Sequence, residues 1–335
     1  MSDEIITVEE LTKEFVLRKR SAGILGSLRG LFTAEKEIIS AVDRVSFTIR
    51  RGELVGYLGP NGAGKSTTIK MLTGILQPTS GLLRVNGVNP AKERRRLTRN
   101  LGVVFGQKTQ LWWDLPVEES FDLLRTIYRI PRDVYKQRME LFSDLLNIQD
   151  FYKQQTRKLS LGQRMRSDLA ASLLHNPPVL FLDEPTIGLD ILTRDAIRDF
   201  IKTINREQQT TIILTTHDME DIDYLANRLI LLDRGKIQYD GNIKSFTRKY
   251  AQDKLVTLHL ESPCARSLLG QKGFDIVNEF NPRHFEVRLG AEDSVNPLLE
   301  AVSECGGRIQ EINVRKQELG DTLKLIYSGR KDVEL

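Results

Sequence analysis

The chain has 335 residues, 40% of them apolar and 28% charged, and its 49 basic and 45 acidic side chains leave a net charge of +4. That length suits two domains with ample core, and so mild a charge gives no argument for a nucleic-acid partner. The two cysteines, Cys264 and Cys305, read as reduced thiols. The acidic opening MSDEIITVEE does not read as a signal peptide, and no uncharged apolar run approaches the ~18 residues that a membrane span needs, so a membrane role needs a partner.

In chain order, IITVEELTKEFVLRK reads as a strand and a turn. Residues 21–36, SAGILGSLRGLFTAEK, place Ile24, Leu25, Leu28, Leu31 and Phe32 at roughly helical spacing, which fits either a short amphipathic insertion or a packed surface loop. AVDRVSFTIRRGELVGYLGP reads as strand, glycine turn and second strand ending at Gly59, with a helix from Lys65 to Leu72 after the glycines. SGLLRVNG is a strand and turn, and the basic run AKERRRLTRN is a solvated, helix-prone face. GVVFGQ is a buried strand ending in a loop, residues 117–146 and 161–174 read as helical, and PPVLFLDEP is an apolar strand with carboxylates at its end. DILTRDAIRDFIKTINRE is an amphipathic helix, TTIILTTHD a buried strand, and LANRLILLDRGKIQYDG two strands joined by a turn at Arg234-Gly235. Strands alternating with helices imply a mostly parallel sheet covered on both faces, hence an α/β fold. Near residue 245 the pattern changes to short alternating strands, KLVTLHLE, IVNEF, HFEVRLG and GRIQEINVRK, which read as a small C-terminal α+β domain.

The stretch GPNGAGKST, residues 59–67, matches the phosphate-loop pattern between a strand and a helix. Gly59, Gly62 and Gly64, with Asn61 between them, let successive backbone N–H groups turn toward one anion, and the helix start adds a favourable dipole. Lys65 would reach the terminal phosphates, and Ser66, followed by Thr67, would ligate Mg²⁺. Asp183 and Glu184 end a buried strand at the edge where open sheets bind ligands. Asp183 would hold Mg²⁺ directly or through water, and Glu184 would orient or deprotonate the attacking water. Gln107 ends another apolar strand, where its amide would touch Mg²⁺ or that water, and His217 ends a third, within reach of the γ-phosphate and Glu184. A DE pair alone is as often a turn or cap, and a lone histidine more often structural; the phosphate loop decides between the readings. His175, His259 and His284 receive no role, and no Cys/His cluster points to zinc.

With these residues in hand, the sequence resembles the ATP-binding cassette family over roughly residues 5–240. LSLGQR at Leu159–Arg164 sits where that family carries its signature, with Leu161 in place of the usual glycine; the IGLD loop supplies Asp190, THD supplies His217, and Phe15 falls where an aromatic stacks on adenine. The resemblance implies a P-loop NTPase nucleotide-binding domain over residues 1–245, with a helical subdomain at about 112–172, and an accessory domain over 250–335. It implies ATP and Mg²⁺ as cofactors and a second cassette as partner, expected to be a second copy of this chain. Ser160, Gly162 and Gln163 of one subunit would complete the phosphate site of the other, with Asp190 linking the two sites. The segment KTQLWWDLPVEESF, holding both tryptophans, Trp112 and Trp113, lies where the family receives the coupling helix of an integral membrane permease. GQKTQLWWDLP, LSLGQRM and, loosely, GDTLKLIYSG resemble ATPase subunits of bacterial type-2 exporters. The implied function is ATP-driven efflux through a separate permease, which would contact the substrate, from the cytoplasmic face of the cell membrane. A soluble cassette acting on ribosomes or nucleic acid, an importer ATPase, and a low-turnover regulatory subunit are the alternatives.

Overall fold

The computed structural model describes residues 3–18, 36–106, 108–216, 218–250, 253–262, 266–317 and 319–327. The segment 21–36 therefore lies, apart from Lys36, outside the described residues, as do Gln107, His217 and Cys264. The chain divides into two units, the second beginning at Asn242.

The first unit opens on two long strands, β1 (Glu4–Arg18) and β2 (Lys36–Arg50). Among the described residues the expected turn within the first segment is absent: β1 runs on as a strand to Arg18, and register shifts around Leu11 and Lys13, with Glu10 at φ 48°, absorb the irregularity as bulges. β3 (Leu54–Leu58) is buried along its whole length and leads into helix α1 (Lys65–Leu72), the span the sequence predicts. β4 (Ser80–Val85) returns to pair with β1, giving a three-stranded antiparallel sheet in the order β2-β1-β4. The basic run forms a short turn of helix, α2 (Arg94–Leu97), followed by a 3-10 turn over Thr98–Asn100; the three arginines of α2 are exposed while Leu97 is buried, as a solvated face requires.

β5 (Leu101–Phe105) is followed by α3 (Val117–Tyr128) and α4 (Arg132–Leu146). The stretch 117–146, expected to be helical, is helical except for a break at residues 129–131 that divides it into two helices. Arg129 closes α3 in the left-handed region, and Pro131 lacks the N–H that would continue the ladder and holds Ile130 away from helical angles. α5 (Leu161–Leu173), β6 (Val179–Asp183), α6 (Ile191–Gln208), β7 (Thr211–Thr215), α7 (Met219–Leu225), β8 (Arg228–Asp233) and β9 (Lys236–Asn242) complete the unit. Their sheet has the order β5-β6-β7-β3-β8-β9, with β5, β6, β7, β3 and β8 parallel. Strands covered on both faces need apolar side chains on both, which is why VLFLD and TIILT carry runs instead of alternation. Register aligns Phe105, Asp183 and Thr215 at one carboxyl edge. β8 and β9 turn through Arg234 and Gly235, both at positive φ.

The second unit holds α8 (Ile243–Tyr250), β10 (Lys254–Leu260), α9 (Arg266–Gln271), β11 (Asp275–Asn281), β12 (His284–Leu289), α10 (Asn296–Glu304), β13 (Ile309–Lys316) and α11 (Leu319–Tyr327). Its antiparallel sheet has the order β11-β12-β10-β13. Val256, Leu258, Phe285 and Val287 form its core with Leu269 of α9 and Leu298 and Val302 of α10. Among the described residues no helix is long and apolar enough to cross a membrane.

A buried carboxyl ties the loop after β5 to α5. Asp168 accepts from the Thr109 hydroxyl at 2.8 Å and from the Gln110 N–H at 3.0 Å, and the Gln110 amide donates to its carbonyl at 2.8 Å. Burial pushes the Asp168 carboxyl up to about 6, against these hydrogen bonds, which favour the anion. With its folded pKa above the unfolded value, the folded state binds more protons between the two, so stability falls as pH rises from about 4 to 6. Asp168→Asn keeps an acceptor and removes the charge. Denaturant unfolding should find it equal to the parent at pH 4 and more stable by about 1–2 kcal/mol at pH 7.5.

Candidate functional site

The loop after β3 is shaped by two glycines. Gly62 and Gly64 have φ of 84° and 104°, a region that costs other residues strain. A Cβ on Gly64 would also lie 2.4 Å from the Ala41 carbonyl oxygen of β2. Gly64 is the N-cap of α1 and supplies no capping side chain, so the first N–H groups of the helix stay available to an anion. Lys65 is buried, and its ammonium donates to the carbonyls of Gly59 at 2.5 Å and Pro60 at 3.1 Å. Burial pulls its pKa down, and the carboxylates of Glu184 and Asp183 oppose that shift. Asn61 and Ser66 are exposed and Thr67 half-buried.

Ser66, Asp183 and Glu184 line one cleft of about 560 Å³, with Lys108 and Gly106 on its wall. The Asp183 carboxylate accepts from the Thr215 hydroxyl at 2.5 Å. Glu184 sits at φ 56°, and its N–H donates to the Thr215 carbonyl at 2.8 Å. The Gly106 N–H reaches the Asp183 carbonyl at 2.8 Å, and a Cβ there would meet the Glu184 carbonyl oxygen at 2.6 Å. The loop that carries Gln107 is thereby pressed against the backbone of the DE pair. Gln107 and His217 themselves lie outside the described residues, but their neighbours Gly106 and Thr216 hold the ends of their loops. The cleft offers an oxygen set, one hydroxyl and two carboxylates, suited to a hard cation that takes its remaining ligands from phosphate and water. Among the described residues no cluster of three His, Cys, Asp or Glu could hold a metal alone.

The remaining candidates stand apart from this cleft. Ser160 is the N-cap of α5 in a capping box: its hydroxyl accepts from the Gln163 N–H at 3.2 Å, and the Gln163 side chain accepts from the Ser160 N–H at 2.9 Å. Leu161 packs toward the IGLD loop, where a Cβ on Gly188 would come 3.2 Å from its Cδ2. A Cβ on Gly162 would lie 2.9 Å from Thr193 Cγ2. Asp190 caps α6, accepting from the Thr193 N–H at 2.9 Å and hydroxyl at 2.7 Å, and these bonds hold its pKa down. Phe15 lies on the β1–β2 ribbon opposite Ile39, 40% exposed, with the Lys13 ammonium 5.3 Å from its ring centre.

Sequence reasoning missed the support beneath the cleft. Asp221 of α7 is fully buried and accepts from the hydroxyls of Thr186 and Thr216 and, at 2.5 Å, from Arg198 of α6. It joins the segment after Glu184 to the residue before His217. A weak signal was present: Arg198 sits on the buried face of an amphipathic helix, beside Ile197 and Ile201, where a cation needs a partner.

Residues 42–187 match the family model described as ABC transporter. The chain is 34% identical to the ABC transporter ATP-binding protein NatA of Bacillus subtilis over 64% of its own length and 87% of that protein's. It is 29% identical to the linearmycin resistance ATP-binding protein LnrL of the same organism, over 74% and 79% of the two chains. A dimeric ATP-binding cassette solved in a post-hydrolysis state with ADP and phosphate superposes with a TM-score of 0.59 and 26% identity, over 71% of this chain and 98% of that one. The chain belongs to the ABC transporter family. It is an ATP-binding subunit of that family and an ATPase, and its parallel sheet with the phosphate loop after β3 is the family's nucleotide-binding fold.

The buried pair under the site of this ABC protein carries a stability prediction. Asp221→Ala strands Arg198 with only the more exposed Asp195, Asp218 and Glu220 nearby. Urea unfolding should show a loss of about 3–5 kcal/mol.

Proposed function

We propose that this chain powers a membrane exporter, hydrolysing ATP at the P-loop cleft and passing the resulting closure and opening to a separate permease. The observation that carries the reading is a continuous arm from the cleft to an exposed aromatic pair. The arm leaves Gly106 beside Glu184, is fastened to α5 through Thr109, Gln110 and Asp168, and ends at Trp112 and Trp113, which are 40% and 51% exposed. Neither tryptophan is spent on the core, and the Arg164 guanidinium lies 5.8 Å over the Trp113 ring. Large amphipathic rings held in place at a surface suit a protein interface.

Within the cleft, backbone N–H groups of residues 62–66 and the Lys65 ammonium bind the β- and γ-phosphates. Lys65 then exchanges the Gly59 and Pro60 carbonyls for phosphate oxygens. Ser66, Asp183 and Gln107 would hold Mg²⁺, which when bound neutralises charge developing on the phosphates. Glu184 orients the attacking water and takes its proton, and His217 donates to the γ-phosphate. Phe15 stacks on the base. Ser160, Gly162 and Gln163 of a second cassette, a second copy of this chain, close over the γ-phosphate, so that ATP holds the pair shut and hydrolysis releases it. The chain then works at the cytoplasmic face of the cell membrane, with the permease choosing the cargo. The likeness to LnrL, a linearmycin resistance protein, favours export, against the likeness to the methionine import protein MetN.

Two measurements test this. Glu184→Gln should retain ATP binding, lose at least about 100-fold in turnover, and gain an ATP-dependent dimer by light scattering. Purification of the chain from gently solubilised native membranes should recover a multi-spanning protein in fixed stoichiometry, and Trp112→Ala with Trp113→Ala should lose it. Recovery with ribosomes or nucleic acid, and no integral membrane protein, would sink the reading.

A further inference from the structure

The sheet of the second unit is covered unevenly. Register places Val256, Val287 and Val314 in one cross-strand row and Leu258, Phe285 and Ile312 in the next. Directly opposed residues share a face, so all six point to the side covered by α9 and α10. Val256, Leu258, Phe285 and Val287 are buried there, at no more than 3% exposure, whereas Ile312 is 40% and Val314 46% exposed. Of β13 only Ile309, at its start, packs against that core. β13 is an edge strand of the sheet, and no strand among the described residues pairs with its outer side. It is eight residues long, without proline, and exposes two β-branched apolar side chains. Proteins usually blunt or occupy an edge of that kind.

We propose that β13 is an interface between two copies of this chain, pairing antiparallel with its own symmetry mate about a two-fold axis at Asn313. The strand's order of residues selects that partner and that register. With the axis at Asn313, Ile312 opposes the mate's Val314 on the helix-covered face. On the other face Glu311 opposes Arg315, and the apolar and the ionic pairing each occur twice by symmetry. Gln310 opposes Lys316 and adds no like-charge clash. Moving the axis one residue either way sets Val314 against Gln310 or Ile312 against Lys316 and separates Glu311 from Arg315. Arg315 is prepared for the role: Asp321 and Glu286 hold its guanidinium, the latter at 3.2 Å, while its side chain stays 36% exposed. A pre-positioned cation loses less freedom on pairing. The contact is isologous, which closes a dimer and leaves no edge to propagate. The inference rests on the paired-cassette reading only for why two copies meet, since a pair of cassettes raises the local concentration of one β13 for the other.

The test uses the full chain with Cys264→Ser and Cys305→Ser, without nucleotide. Adding Asn313→Cys should give a disulfide-linked dimer under mild oxidation, because residues opposed on antiparallel strands fall within disulfide reach. Glu311→Cys alone should not cross-link, its symmetry mate being about 14 Å along the strands. Mixing Glu311→Cys chains with Arg315→Cys chains should give the mixed dimer. Ile312→Lys with Val314→Lys, added to Asn313→Cys, should cut the yield at least about tenfold. If the Asn313→Cys chain stays unlinked while Glu184→Gln still dimerises on ATP, this inference falls and the cassette reading stands. If the links form but ATP gives no dimer, the reverse holds. Cross-linking of the Asn313→Cys chain to a different protein, or equal yields from Glu311→Cys and Asn313→Cys, overturns the two-fold pairing.

Discussion

The amino end of α1 is the constraint around which the first unit is arranged. A helix of eight residues leaves its first N–H groups unpaired, and most helices meet that need with a capping side chain. Here the N-cap is Gly64, which offers none and has no room for one beneath the Ala41 carbonyl of β2. The donors are therefore held open by the fold itself, and Lys65 donates to the loop's own carbonyls. Those carbonyl contacts keep a buried ammonium hydrogen-bonded, and two carboxylates nearby offset part of its desolvation. Open N–H groups beside a buried ammonium suit a polyanion.

Everything else that matters to the cleft is placed by sheet register. Phe105, Asp183 and Thr215 fall level at one edge because β5, β6 and β7 are parallel and unbroken, so the loops that follow must share the same small volume. Gly106 lets two of them touch. Below them two buried carboxylates act as anchors. Asp168 fastens the segment after Gln107 to α5, and Asp221 fastens the segments around Glu184 and His217 to α6 and α7. Neither lines the cleft, and each removes a degree of freedom from loops at the strand ends that do.

The readable parts of the sequence were those in which one residue type answers one physical need. Glycines at positive φ, an apolar run ending in carboxylates, and Arg-Gly between two strands all do so, and the structure has a phosphate loop, β6 and a tight turn there. The misreadings came from local breaks that composition does not announce. Glu10 bulges a strand that looked finished, and Pro131, inside a helix-rich window, ends one helix and starts another. Asp168 and Asp221 were illegible for a different reason: their partners lie 58 and 23 residues away in sequence for Gln110 and Arg198 respectively, and no spacing rule reaches that far. β13 shows the same limit from the other side. Its alternation marks a strand, but only its place at the edge of the sheet leaves Ile312 and Val314 exposed while Ile309 packs against the core.

The leucine in the signature has a structural account. Position 161 is the first residue of α5, where helical angles suffice and glycine's freedom is not needed. Its side chain is taken up by Gly188, whose missing Cβ leaves room for Cδ2. Next to it Gly162 is closed on by Thr193, and Thr193 is in turn bound by Asp190. The start of α5, the IGLD loop and the start of α6 are therefore one packed body within a single chain. In the proposed pair these two loops would face opposite sides of the nucleotide site, and Leu161, by filling the space over Gly188, packs them together within one chain.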